Sequence, residues 1–276
     1  MTLQYVLEML TDAVLTDSGN AIEAEYALRP ELVGIPYFDA PLLGCAAADD
    51  ELFRQYKEDP KIYGSVLRLP EEWMPGARSV ISFFLPYTAE IRTSSLHYGK
   101  DPSETWLHAR IEGQAFLLKI CHKLADMLHE AGYDAVIPAD HPDYRVERVP
   151  QRAALGEPPY VSNWSERHVA YVAGLGTFSL SKNIITEKGV CGRFGSIITD
   201  APFAATERTY SDPFEYCTFC GLCNCNCPAD AISVDTGKDL IACSDFLDTT
   251  RKAYAPRYGC GKCQMGVPCE TGIPGR

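Results

Sequence analysis

The stretch Cys217-Thr-Phe-Cys220-Gly-Leu-Cys223-Asn-Cys225-Asn-Cys227-Pro228 decides how this chain is read. It contains the spacing C-x2-C-x2-C-x3-C-P. Three thiolates set two residues apart wrap one face of a [4Fe–4S] cubane. The loop carrying them is tight enough for backbone N–H groups to reach the sulfurs. The fourth cysteine leaves that cluster and serves a second one. A zinc ion asks instead for four converging ligands, more often supplied as two separated C-x-x-C pairs.

Downstream the pattern loosens. Cys243 stands alone, Cys260-Gly-Lys-Cys263 follows, and Cys269 comes after Pro268. Crossed ligation gives one cubane Cys217, Cys220, Cys223 and Cys269, and the other Cys227, Cys243, Cys260 and Cys263. Cys225 is left over and reads as a bystander. One cluster plus structural thiols is the alternative. The remaining cysteines, Cys45, Cys121 and Cys191, read as buried apolar residues.

A disulfide scaffold would be short and secreted. Here 276 residues carry twelve cysteines, nine of them between Cys217 and Cys269. The opening Met1-Thr-Leu-Gln-Tyr5 has no basic region, and Glu8 and Asp12 interrupt its apolar run. It reads as a helix start, which makes the cytoplasm the expected location. No apolar run is long enough to span a bilayer, so no membrane partner is expected. The net charge of −12 opposes a large nucleic-acid footprint.

Upstream, Leu3, Val6, Leu7, Leu10, Val14 and Leu15 recur at helical spacing. Residues 19–75 read as irregular. Ser79–Leu85 reads as a buried strand closed by Pro86. Residues 102–131 predict the longest helix, with Asp101 as its cap, Pro102 at its first position and Gly132 at its end. Ala135–Ile137 reads as a strand, 138–165 as a long proline-rich loop, 165–173 as a helix and Phe194–Thr199 as another strand. A polar connector follows, with a domain boundary near residue 210. The segment after Pro228 predicts a helical turn and then a strand.

Several segments together resemble the epoxyqueuosine reductase family, which is related to the reductive dehalogenases. They are Pro70-Glu-Glu-Trp-Met-Pro-Gly-Ala-Arg-Ser-Val-Ile-Ser, Glu166-Arg167 with Ala173-Gly-Leu-Gly176, Lys182-Asn183 with Ile184-Ile185, Gly195-Ser-Ile-Ile-Thr-Asp200 and Tyr258-Gly-Cys260-Gly-Lys-Cys263-Gln264. The resemblance runs from about residue 70 to the end. It implies an α+β fold: residues 1–210 as a nitroreductase-like α/β domain holding cobalamin, and 211–276 as a bacterial ferredoxin-like domain with two [4Fe–4S] clusters. FMN is the alternative cofactor, since the related fold holds it. The resemblance places Glu166, Arg167, Gly174, Gly176, Lys182 and Asn183 in the cofactor-binding part. By their residue types alone, Gly174-Leu-Gly176 also reads as a helix end and turn, and Arg167 as a partner of Glu166 or Asp200.

In epoxyqueuosine reductases an aspartate shortly before the Glu-Arg pair donates a proton. Here that stretch, Pro159 to Arg167, has no aspartate, and counting back puts Tyr160 nearest the role. Asp143, Tyr144 and His168 are further candidates. The resemblance implies a reductase fed by a low-potential ferredoxin or flavodoxin, acting on an electrophilic small molecule. The tRNA-modifying activity is an alternative that the charge and the missing aspartate oppose. A protein that only passes electrons or reactivates a corrinoid is another.

Overall fold

In the computed structural model, which describes residues 1–97 and 99–276, the chain begins with helix α1, Leu3–Thr16. Thr2 caps it, accepting from Tyr5 N–H at 3.2 Å, and Val6, Leu10 and Val14 form its buried stripe. Strand β1 is Leu42–Ala47, helix α2 Glu51–Glu58, helix α3 Pro70–Trp73 and strand β2 Ser79–Pro86. Helix α4, Ala89–Ser94, leads to the long helix α5, Glu104–Glu130. Strands β3 (Ala135–Val136), β4 (Val146–Arg148) and β5 (Tyr160–Ser162) precede helix α6, Glu166–Val172. Then come β6 (Gly176–Phe178), β7 (Ile184–Thr186) and β8 (Gly192–Thr199). The cysteine-rich end holds helix α7 (Leu222–Cys225), strands β9 (Ile232–Ser233) and β10 (Gly237–Lys238), and helix α8 (Leu240–Tyr254).

A four-stranded antiparallel sheet, ordered β1-β2-β8-β3, organises these elements. All eight residues of β2 are buried, as expected of a central strand covered on both faces. Alternation along the strands divides the core in two. Ile81, Phe83, Leu85 and Ile197 pack with α1 and α5. Val80, Ile198 and Ala46 pack with Val169, Ala170, Val172 and Ala173 of α6.

The second core does not stop at residue 210. Tyr216, Cys223, Ile232 and Val267 belong to the same cluster as Ile184 and Ile185. Val190 N–H donates to the Cys269 carbonyl at 2.8 Å, and Arg92 pairs with Glu270 at 3.2 Å. Arg257 reaches Glu112 on α5 and the Tyr26 carbonyl. The cysteine-rich end is thus sewn onto the sheet from three sides.

Four sequence expectations are corrected. Residues 19–75 are not irregular throughout, since they contain β1, whose Leu-Leu-Gly-Cys-Ala-Ala is poor in β-formers and is held by pairing with β2. Ser103, not Asp101, caps α5, its hydroxyl accepting from Trp106 N–H at 3.1 Å, so Pro102 lies before the cap. The stretch 138–165 is not all loop, because β4 and β5 pair across it. The helical turn expected after Pro228 lies before it as α7, with only a turn between Pro228 and β9; the remaining predicted elements form close to their expected bounds, and Gly132 ends α5 with φ of +85°.

Helix α6 lies very close to the sheet because Gly44 has no side chain. A Cβ there would stand 2.2 Å from the Ala173 carbonyl oxygen. Gly44→Ala must push α6 away, and it should lower the urea unfolding midpoint by the equivalent of about 1–3 kcal/mol. An unchanged midpoint would show that α6 does not depend on this contact.

Candidate functional site

The first cysteine loop turns sharply at two left-handed residues, Phe219 (φ 51°) and Gly221 (φ 78°). This brings Cys217, Cys220 and Cys223 to one cavity, and Cys269 arrives from the far end of the chain on the strand-like tie to Val190. Leu180, Ile185, Val267 and Pro268 complete an apolar wall. Burial, then the neighbouring Cys217 and Cys223, push the Cys269 thiol up to about 12.

A second group adjoins the first. Cys227 follows α7, Cys243 lies on α8, and Cys260 and Cys263 sit on the following loop. Burial pushes the Cys260 thiol up to about 12, with Cys263, Cys243 and Cys227 all adding to it. Cys263 also raises Cys223, so the two groups meet at these residues. Cys217, Cys220, Cys223 and Cys269 thus share one cavity, Cys227, Cys243 and Cys263 lie within electrostatic reach of Cys260, and Cys220 and Cys225 are exposed.

N–H donors placed at several of these sulfurs are compatible with iron–sulfur cubanes. Among the described residues, no three or more His, Cys, Asp or Glu side chains converge to hold one metal ion. A tetrahedral zinc needs its sulfurs about 2.3 Å from a common centre, whereas a cubane takes each thiolate on a different corner. Fixed donors already aim at sulfur. Leu180 N–H reaches Cys217 Sγ at 3.4 Å, Ala231 N–H reaches Cys227 Sγ at 3.3 Å, and Asn183 Nδ2 reaches Cys263 Sγ at 3.6 Å. Such bonds orient ligands and tune a cluster's potential.

Arg167, with Lys182 and His168 near it, neighbours the second group. Arg167 and Lys182 are open to water, yet burial in the surrounding protein lowers the pKa of each. Arg167 lies within electrostatic reach of Cys263, Cys243 and Tyr63, and it pairs with neither Glu166 nor Asp200. Lys182 holds a left-handed turn (φ 58°) between β6 and β7. His168 is set among Tyr56, Tyr63 and Phe178 at ring distances of 4.9–5.0 Å, and burial drives its pKa down to about 3. The imidazole is therefore neutral at physiological pH. Tyr160 is 42% exposed on β5, with Tyr144 and Tyr63 nearby. Asp143 faces solvent and pairs with Arg68 at 3.0 Å.

Other residues singled out in the sequence face inward. Gly174 turns the end of α6 with φ of +81° and packs on Thr206. A Cβ on Gly176 would strike the Ile185 carbonyl at 1.9 Å. Cys45, Cys121 and Cys191 are buried. Sequence reading passed over Arg110 and Arg193. The one available signal was a charge one turn after Trp106, within the apolar stripe of α5.

No family model matches the sequence, and no curated protein matches it. Solved structures share its fold. An epoxyqueuosine reductase superposes with a TM-score of 0.51 at 21% identity, over 85% of this chain and 63% of that one. A catabolic reductive dehalogenase in complex with 3-bromo-4-hydroxybenzoic acid gives 0.53 at 16%, over 99% and 37%. A reductive dehalogenase described as acting by B12-dependent dehalogenation gives 0.50 at 15%, over 95% and 35%. The chain spans just under two thirds of the reductase and little more than a third of either dehalogenase.

Glu166 begins α6 with both carboxylate oxygens buried and unpartnered. Burial raises its pKa from 4.5 to about 7, against a smaller opposing effect of Ser196. The folded state thus favours the neutral acid. This stability is complete below pH 4.5 and is lost as pH rises through about 7. Ionisation there costs about 3 kcal/mol. Glu166→Gln should flatten the fall in unfolding free energy between pH 5 and 8, and a variant with the parental slope would contradict the assignment.

Proposed function

We propose that this chain is an iron–sulfur reductase of epoxyqueuosine-reductase type, with a corrinoid as cofactor and an electrophilic small molecule as substrate. The observation that carries the reading is the gathering of eight thiols into two adjoining groups, one around a cavity and the other within electrostatic reach of Arg167. The shared fold supports it, because the neighbours named above are reductases and one acts with B12. When bound, the clusters supply single electrons and the corrinoid supplies a strongly reducing centre.

In this reading residues 211–276 are a ferredoxin-like double-cluster part and 1–210 a nitroreductase-like part. Cys217, Cys220, Cys223 and Cys269 hold one cubane, and Cys227, Cys243, Cys260 and Cys263 the other. Asn183 orients Cys263 through its amide and shares its oxygen with Gln264 at 3.4 Å. Arg167 and Lys182 supply positive charge. Glu166 and the glycines Gly174 and Gly176 support the segment from beneath. Tyr160 supplies the proton in place of the absent aspartate, with Tyr63 and Tyr144 beside it. A low-potential ferredoxin or flavodoxin delivers the electrons. Among the described residues no helix is long and apolar enough to cross a membrane.

The −12 charge favours a small molecule over a tRNA. Salt-dependent tRNA binding at low ionic strength would reverse that preference. A flavin in place of the corrinoid would show in the visible spectrum.

Anaerobic purification with added cobalamin should yield about eight iron and one cobalt per chain. Cys269→Ser should remove about half of the iron, and Cys225→Ser none. Stoichiometric zinc, or iron lost equally in both variants, would sink the proposal.

A further inference from the structure

Arg110, Arg167 and Arg193 are short of partners. Nearby Arg257 pairs with Glu112 at 2.6 Å and Arg251 with Asp248 at 2.6 Å. Arg110, Arg167 and Arg193 have no carboxylate in ion-pair reach among the described residues. Arg78 and Arg276 also lack an ion pair among the described residues, but Arg110 and Arg167 lack one while the surrounding protein desolvates them.

Arg110 and Arg193 stand together. Arg110 rises from α5 and donates to the Tyr258 hydroxyl at 3.1 Å, its guanidinium 4.8 Å from that ring's centre. Arg193, on β8, donates through Nη2 to Gln114 Oε1, one turn along α5 from Arg110. Burial and the charge of Arg193 both work against the charge of Arg110. Two donors here are buried and unused: Arg193 Nε and Trp106 Nε1. The loop 259–261 packs against them, since a Cβ on Gly259 would lie 3.1 Å from Arg110 and one on Gly261 2.0 Å from the Trp106 ring.

A desolvated Arg110 repelled by Arg193, beside the idle N–H donors of Arg193 and Trp106, is costly as it stands. An oxyanion would remove the repulsion, satisfy the donors and match the planar fork of arginine. Arg167 lies within reach of Cys263 and Cys243, whereas Arg110 and Arg193 are held by Tyr258 and Gln114.

We propose that Arg110 and Arg193, with Trp106 Nε1, form an oxyanion-binding subsite that grips a carboxylate or phosphate group of the substrate. That the anion belongs to the substrate rests on the reductase reading; the anion site itself does not. Tyr258 and Gln114 act as positioning residues, fixing the two guanidinium groups.

The test is calorimetric titration of the anaerobically purified, iron-loaded full chain with benzoate, with inorganic phosphate and with neutral benzamide. At least one oxyanion should bind, and benzamide about tenfold more weakly or not at all. Benzoate alone identifies a carboxylate, and phosphate a phosphoryl group. Arg110→Gln and Arg193→Gln should each weaken binding about tenfold, the effect of losing one charge-assisted hydrogen bond, while Arg54→Gln on the surface leaves it unchanged. Should a glutamine variant lose iron, Arg193→Lys keeps the charge but not the fork, and it should retain iron and still bind more weakly.

Failure of both oxyanions to bind overturns the proposal, as does equal binding of benzamide or undiminished affinity in the variants. Cobalt measured on the same samples separates the two readings. Arginine-dependent binding in a chain that takes up no cobalt supports this subsite while removing the corrinoid.

Discussion

Thiolate charge cannot be crowded into a protein interior without a cation to answer it, and this fold gathers eight thiols into two neighbouring groups. Burial and mutual repulsion hold Cys223, Cys260 and Cys269 protonated, their pKa values pushed up to between about 11 and 12. Iron reverses that preference, because the metal binds the deprotonated sulfur and releases the proton. Much of the surrounding architecture serves to keep this unfavourable gathering in place. The tie between Val190 and Cys269 carries the last cysteine to the first loop. Helix α8 carries Cys243 across to the second group. The sheet, clamped by α5 on one face and α6 on the other, anchors both.

The same arrangement explains the uneven charge. The chain is acidic overall, yet Arg110 of α5, Arg167 of α6 and Arg193 of β8 lie near one another, Arg193 within electrostatic reach of both others. Arg167 faces the second thiol group. Lys182 holds the turn between β6 and β7, next to Asn183, whose amide reaches Cys263. Grouped positive charge of this kind favours the approach of an anion. Burial raises the pKa of the Glu166 carboxyl to about 7, so it carries less negative charge at neutral pH than an exposed glutamate.

What could be read in the sequence was what depends on short range. The spacing from Cys217 to Cys227 is set by one loop wrapping one object, so it is visible without a fold. Strand β2 declared itself through an unbroken apolar run, and α5 through its stripe. Long-range pairing hid the rest. Strand β1 exists because β2 offers it an edge, and its glycine and alanines serve the approach of α6, which no local pattern signals. Ser103 and Asp101 are both acceptable caps, and only the path of Pro102 decides between them. The packing duties of Gly174 and Gly176 depend on Thr206 and Ile185. Arg110 and Arg193 lie 83 positions apart in sequence and meet only through the α5–β8 packing.

The central claim is that the two thiol groups hold paired cubanes close enough to interact. Low-temperature electron paramagnetic resonance of the anaerobically reduced protein tests it most directly. Two reduced clusters at adjoining sites should give a broadened, split signal at full reduction that simplifies when only one is reduced. A single unperturbed cluster signal at every level of reduction would contradict the account, as would the absence of any cluster signal in metal-replete protein.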